Sequence, residues 1–268
     1  MIRLLRMCWS TLGLVQAYVV ANLQAAMEYR LAFVSQVLIM LLNDCLWLFY
    51  WWTYFHQFPL VHGWRVTDIL VLWSLSACGF GLSAAIFGNA GQMVPLIMNG
   101  GLDAYLGMPR NVLLHVSIAA TRPIAWGDLL FGLGVYLLFI HPDAFHIVLF
   151  FFLVLLGACI FTAFLIMLCS LAFFLGNTEG LVSQVFGALI TFCTYPMDIF
   201  HGAVKLLLFT VLPAGFITFV PIQLLHQFSW PLLAVLIGVT LIFVLVAVGL
   251  FHLGLRRYES GSLLGMQN

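Results

Sequence analysis

The chain has 268 residues, 64% of them hydrophobic and only 7% charged, and its formal net charge is zero. Soluble domains carry roughly 25% charged residues, so a mean hydropathy of +1.15 excludes a soluble core and makes this a membrane protein. A neutral chain also argues against a nucleic-acid surface, which needs clustered Lys and Arg.

In residues 1–30, Arg3, Arg6, Ser10, Gly13, Ala17, Ala21, Gln24 and Glu28 recur at intervals of three and four. This predicts a helix with one polar-or-small stripe and apolar remaining faces. Such a helix lies in the membrane interface with its arginines at headgroup level. The rival reading is a cleavable signal peptide, since MIRLLR and the apolar stretch after it resemble an n- and an h-region. Gln16, Asn22, Gln24 and the continuation of the stripe to Glu28 favour the interfacial helix.

A span needs about 20 apolar residues to cross a ~30 Å hydrocarbon core. Six candidates follow: 31–56, 66–90, 114–140, 145–175, 180–197 and 230–255. Between the last two, residues 199–229 are apolar but interrupted by Gly202, Pro213, Gly215 and Pro221. That pattern suits short re-entrant helices packed on protein; an additional span is the competing topology. With the N-terminus inside, Arg3, Arg6, Arg30, Arg110, Arg122, Arg256 and Arg257 are cytoplasmic and only Arg65 and Lys205 are outside. The positive-inside rule therefore places both termini in the cytoplasm.

Asp44 lies about 20 Å along the first span at 1.5 Å per residue, so the Asn43-Asp44 pair falls near the bilayer centre. A lone aspartate there costs at least ~2.5 kcal/mol and must be protonated, paired or facing water. It is either part of a substrate path or protomer contact, or a helix–helix hydrogen bond. Asp128, beyond Arg122 in the third span, reads as a partner for a neighbouring span. Glu179, in Gly176-Asn177-Thr178-Glu179-Gly180, falls at the turn between the fourth and fifth spans. Asp198 follows the Tyr195-Pro196 break, where proline ends a helix by lacking an N–H and clashing with the preceding turn.

The pattern breaks most sharply between Gln92 and His115, at QMVPLIMNGGLDAYLGMPRNVLLH. Pro95, Gly100-Gly101, Gly107 and Pro109 interrupt it, while Leu102, Tyr105 and Leu106 at i, i+3, i+4 predict a short helix with one apolar face. Orientation puts this segment in the cytoplasm, where it can dock on a partner or lie on headgroups.

Catalytic chemistry finds little support. The six cysteines are scattered without a CxxC, which suggests apolar packing rather than zinc or redox work. His56, His62, His141 and His146 lie in outer loops and are expected to lack acidic or cysteine companions. His115, His226 and His252 do not pair as haem ligands. Ser74, Ser76 and Ser83 have no protease-like setting, and Asp44 and Asp128 lack aspartyl-protease surroundings. The single lysine, Lys205, is not preceded by GxxxxGK[ST], so ATP is not bound through a P-loop. No metal, cofactor-binding or catalytic residue is predicted.

The order of elements, with Asn99-Gly100-Gly101-Leu102-Asp103-Ala104-Tyr105-Leu106 and Met108-Pro109-Arg110, resembles the permease subunits of ABC-2 type transporters, and in particular the branch described as ABC-2 family transporter proteins. That branch has a G-x-L-D-x-x-L-x-x-P cytoplasmic loop. Thr194-Tyr195-Pro196 with Ile199-Phe200 is similar to its Y-P-x-x-x-F, and Pro221 and Arg256-Arg257-Tyr258-Glu259-Ser260-Gly261 also match. The resemblance covers essentially the whole chain.

It implies an all-α integral membrane protein forming a single ABC-2 type transmembrane domain over 1–268. Its parts would be an interfacial helix (1–30), spans one and two (31–90), a cytoplasmic coupling segment (91–113), spans three to five (114–197), a broken re-entrant outer segment (198–229), span six (230–255) and a cytoplasmic tail (256–268). Gly101, Leu102, Asp103, Tyr105, Leu106, Met108, Pro109 and Arg110 would dock on a cytoplasmic ABC ATPase dimer that carries ATP and Mg. A second permease, the same chain or a paired homologue, would complete an exporter of drugs, lipids or glycans in the bacterial inner membrane. Asn43, Asp44, Asp128, Tyr195, Pro196 and Asp198 are candidates for the substrate path or protomer interface. The alternatives are a stand-alone secondary carrier or channel using the intramembrane aspartates, and a non-transporting scaffold.

Overall fold

The computed structural model describes residues 2–61, 63–109 and 111–258, with the backbone alone over 2–10. The described residues are helical, without a strand: α1 (Ile2–Glu28), α2 (Arg30–Gln57), α3 (Val66–Ile86), α4 (Met93–Met98), α5 (Asp103–Leu106), α6 (Val112–Ile118) and α7 (Ala125–Val135) come first. After them come α8 (Ala144–Ser170), α9 (Ala172–Leu175), α10 (Glu179–Phe192), α11 (Gly202–Thr210), α12 (Val220–His226) and α13 (Trp230–Leu255). We orient the molecule with the N-terminal end of α3 at the top.

α3 is the central post, buried on every side and packed against α7 and α8, with α2 beyond α7 and α13 against α8. A hydrogen bond between Ser83 Oγ and Thr162 Oγ1 (2.7 Å) ties α3 to α8 inside an otherwise apolar contact. Four helices are long and apolar enough to cross a membrane: Arg30–Gln57, Val66–Ile86, Ala144–Leu175 and Trp230–Leu255. The expected third and fifth spans correspond to two shorter apolar helices, Ala125–Ile140 and Glu179–Phe192.

The structure corrects two boundaries. Residues 114–140 are not one helix: α6 stops at Ile118, and the chain turns through residues 119–124 before α7 begins. Pro123 lacks the N–H that would continue the helix and disfavours helical geometry at Arg122. The turn is held on the bottom of α3 by Arg122 N donating to Ala84 O (3.2 Å) and Thr121 Oγ1 to Ala85 O (2.8 Å). The second span, expected to reach residue 90, ends at Ile86 in a 3-10 turn over Gly88–Gln92.

Residues 199–229 form the hairpin Gly202–Thr210 and Gly215–His226, bent by 75°. Both of its ends lie at the top. Lys205 Nζ bonds Asp198, Trp64 Nε1 bonds the same carboxylate, and His226 Nε2 sits 3.1 Å from Asp68. The apex packs its Ile217 against Gly157, well down α8. The segment therefore leaves and returns to one end of the molecule, as a re-entrant hairpin does and an added span would not.

α1 rests on α6 through Tyr18 Oη to His115 Nδ1 (3.1 Å) and Asn22 Nδ2 to Ile118 O (3.1 Å). The described part of the small-residue stripe, Gly13, Ala17, Ala21, Gln24 and Glu28, is exposed.

Candidate functional site

A cavity of about 210 Å³ opens between α2, α3, α7 and α10. On α2 its walls are Met40, Asn43, Asp44, Trp47 and Trp51; on α3 they are Trp73, Ser76, Ala77 and Phe80. Both sets run at i, i+3, i+4, i+7, one face of each helix. Asp128 of α7 and Ile190, Thr191, Thr194 and Tyr195 close it.

Glycines set the position of Asp128. A Cβ on Gly127 would lie 2.7 Å from Met40 Cβ and 2.9 Å from the Val37 carbonyl, so α7 and α2 touch backbone to backbone. Gly81 does the same on α3, where a Cβ would lie 2.8 Å from Leu129 N and 3.1 Å from Asp128 Cβ. Close approach through small residues is how apolar helices associate where no hydrophobic drive separates them from lipid. It brings Asp128 to the same cavity as Asp44.

Asp44 is 3% exposed and Asp128 4%. Asn43 hydrogen-bonds the Asp44 carboxylate, but Oδ2 of each aspartate is buried without a hydrogen-bond partner among the described residues, as is Trp73 Nε1. Two aromatic pairs stand beside the acids: Trp47 and Trp73, stacked at 6.3 Å, and Trp51 and Tyr195, edge to face at 5.7 Å.

The expected substrate-path set therefore divides. Asn43, Asp44, Asp128 and Tyr195 meet at one cavity, whereas Pro196 and Asp198 do not line it. Trp47, Trp51 and Trp73 were missed by sequence reasoning, although the helical spacing that joins Met40, Asp44, Trp47 and Trp51 is readable in the chain.

Asp198 belongs instead to a pin at the top. It accepts from Trp64 Nε1 (3.0 Å) and Lys205 Nζ (2.8 Å), which fastens the start of the hairpin to the loop before α3. Partial burial pushes its carboxyl up, but the hydrogen bonds from Lys205 and Trp64 and the charge of Lys205 outweigh that and leave it below its ordinary value. The stabilisation is thus complete above about pH 4, the ordinary aspartate value, and is lost as pH falls through the lower folded value. Wild type should melt above Asp198→Asn at neutral pH, by a small margin for so exposed a pair, with the gap closing in acid. A gap that persists in acid would mean the charge contributes nothing.

At the bottom, the expected docking residues separate by exposure. Gly100 turns the chain at φ +74°, and Gly101 packs on Leu96, where a Cβ would lie 2.7 Å from Cδ2. Leu102 is fully buried in a core with Met93, Val94, Ile97, Val116 and Phe251. Tyr105 packs on that core, and Met108 is half-buried. Leu106, 44% exposed, and the exposed Gly107 and Pro109 face outward. The predicted helix is a single turn, Asp103–Leu106. Arg110 lies outside the described residues. Asp103 faces the end of α13, where burial and the Asp103 carboxylate together hold the Tyr258 phenol above its ordinary value.

Two histidines have acidic companions, and for His146 this is contrary to the sequence expectation. His146 bonds Asp143, which caps α8 by accepting from His146 N, and His226 reaches Asp68. Asp143 is consequently held below its ordinary value, first by the His146 backbone N–H and then by its ring. These are helix-end contacts, and among the described residues no three His, Cys, Asp or Glu side chains gather as a metal site.

A helical bundle with several apolar helices of crossing length and an acid-lined cavity between them defines a multi-pass membrane protein. Residues 38–262 match the family model described as ABC-2 family transporter protein, and the chain belongs to that family. It is thus a transporter permease of the ABC-2 type, a membrane transport component rather than a catalytic subunit in itself. Comparison with curated proteins and with solved structures finds no match.

Proposed function

We propose that this chain is the membrane-spanning subunit of an ATP-driven exporter, with ATP and Mg held by a separate cytoplasmic ATPase dimer and a second permease completing the complex. The observation that carries this reading is the turn at residues 102–109. Its base is locked into the chain by Leu102, while Leu106, Gly107 and Pro109 project at the molecular end. A turn so anchored transmits a push: the Leu102 core includes residues of α8 and α13, so displacement of the turn is passed to two long helices instead of being absorbed by a loop.

Charge supports the orientation. Arg30, Arg122, Arg256 and Arg257 gather at the end that carries this turn, and Arg65 and Lys205 at the other. By the positive-inside rule the turn, and both termini, face the cytoplasm of a bacterial inner membrane. In this reading α2, α3, α7, α8 with α9, α10 and α13 are the six spans, α1 lies in the inner interface, and the α11–α12 hairpin dips in from outside. The drug, lipid or glycan-like substrate passes by the Asp44–Asp128 cavity.

The test is co-purification with an ABC ATPase, which this reading expects a neighbouring gene to encode. Leu106→Glu places a charge on the projecting apolar side chain and is expected to abolish the complex while leaving the chain folded. Assembly and ATP-dependent transport that survive Leu106→Glu would refute the docking assignment. The shared cavity of Asp44 and Asp128 favours one second reading, a carrier driven by an ion gradient. It requires a proton flux from the chain alone in proteoliposomes, abolished by Asp44→Asn.

A further inference from the structure

We propose that the cavity between α2, α3, α7 and α10 binds an organic ammonium group, quaternary or protonated, between the carboxylates of Asp44 and Asp128 and the rings of Trp47, Trp51, Trp73 and Tyr195. As a statement of substrate class this rests on the permease reading; as a statement of binding it stands on the geometry.

Two carboxyls buried in hydrocarbon surroundings must either be protonated or be given a counter-charge, because burying an unpaired ion is costly, and a cation between them is the counter-charge that keeps both ionised. No Arg, Lys or His lines this cavity, so the lining residues supply none. Each carboxylate keeps an oxygen with no partner among the described residues, the acceptors a cation would satisfy. Trp47, Trp51, Trp73, Phe80 and Tyr195 supply rings among the remaining walls, and an ammonium over tryptophan is attracted by the ring quadrupole, most strongly once desolvated. A bare divalent metal fits poorly, since Ca²⁺ or Mg²⁺ wants six or more oxygen ligands. A neutral apolar ligand would fill the aromatic half and leave the carboxylate oxygens dry. At about 210 Å³ the space takes a small head group. Trp73 Nε1, also unpartnered, could donate to a hydroxyl carried by the same ligand.

The experiment uses the full chain in phosphatidylglycerol nanodiscs, which contain no ammonium head groups. Choline and its neutral isostere 3,3-dimethyl-1-butanol are compared by melting temperature and tryptophan fluorescence. Choline should raise the melting temperature and change the fluorescence, and the isostere should not. Asp44→Asn and Asp128→Asn should each weaken choline binding tenfold or more, and Asp143→Asn, outside the cavity, should leave it unchanged. Wild-type chain that responds equally to both compounds, or to neither, overturns the proposal whether or not the variants fold. So does an Asp44→Asn, Asp128→Asn double variant that is well folded and binds choline like wild type. Phosphatidylcholine nanodiscs separate the sources: a lipid head group in the cavity would raise the melting temperature without free choline, in an Asp44-dependent way, and a soluble ligand would not. ATPase assembly is not needed for binding. Loss of choline binding with Leu106-dependent assembly intact therefore defeats this proposal alone, and the reverse defeats the permease reading alone.

Discussion

Replacing Leu102 by alanine is expected to destabilise the chain by about 2–5 kcal/mol, the range for emptying a fully packed leucine site. Leu102 has no exposed surface and belongs to a buried cluster with side chains of α4, α6, α8 and α13, a closely packed setting that does not readily collapse into an emptied site. Leu106, four residues on and 44% exposed, should behave in the opposite way. Its change to glutamate stays near ±0.5 kcal/mol, as surface substitutions do, yet removes the ATPase complex. Scanning fluorimetry of the two purified variants, set beside their ATPase co-purification, separates anchoring from docking. If instead Leu106→Glu lowers the melting temperature and Leu102→Ala does not, the turn is inserted the other way round. Leu102 and Tyr105 would then be the docking face.

That division shows where the sequence stops being legible. Spacing at i, i+3, i+4 says that Leu102, Tyr105 and Leu106 share a side of a helix, but not what covers that side. In a helix of one turn the side is split between the chain's own core and the outside. The last long apolar helix was legible in the chain, as α13 over Trp230–Leu255, because an uninterrupted apolar run is bounded by Pro231, favoured in a first turn, and by Arg256-Arg257. The expected third span was not. Hydropathy averaged over 114–140 hides one proline, while the backbone responds to Pro123 locally. The acids lay in plain sight as residues, but their meeting depends on the register of α2 against α7, a long-range property that spacing along one helix does not carry. The rings that complete the cavity could have been found from the periodicity of Met40, Asp44, Trp47 and Trp51, had aromatic residues in a span been weighed as lining as well as lipid-facing.

The register itself can be tested at Gly127. A Cβ there meets Met40 Cβ at 2.7 Å and the Val37 carbonyl at 2.9 Å, both below the contact distance that real side chains tolerate, so Gly127→Ala must push α7 off α2. Overpacking of this kind costs about 1–3 kcal/mol. Trimming Met40 to alanine does not restore the fit, because the two nearest atoms are its Cβ and a backbone oxygen, and both remain. Asp128 is the next residue, so the same displacement draws its carboxylate away from Asp44. The choline-dependent rise in melting temperature should fall although no charged or aromatic group has been removed. Gly134, on the same helix, has nothing within 4 Å of an added Cβ. Gly134→Ala is therefore expected to be neutral or to stabilise by up to about 1 kcal/mol, the helix propensity difference between the two residues, with choline binding unchanged. Equal losses at Gly127 and Gly134 would mean that α7 responds to any added methyl. Loss at Gly127 alone ties the acid pair, and with it the cavity, to one backbone contact between α2 and α7.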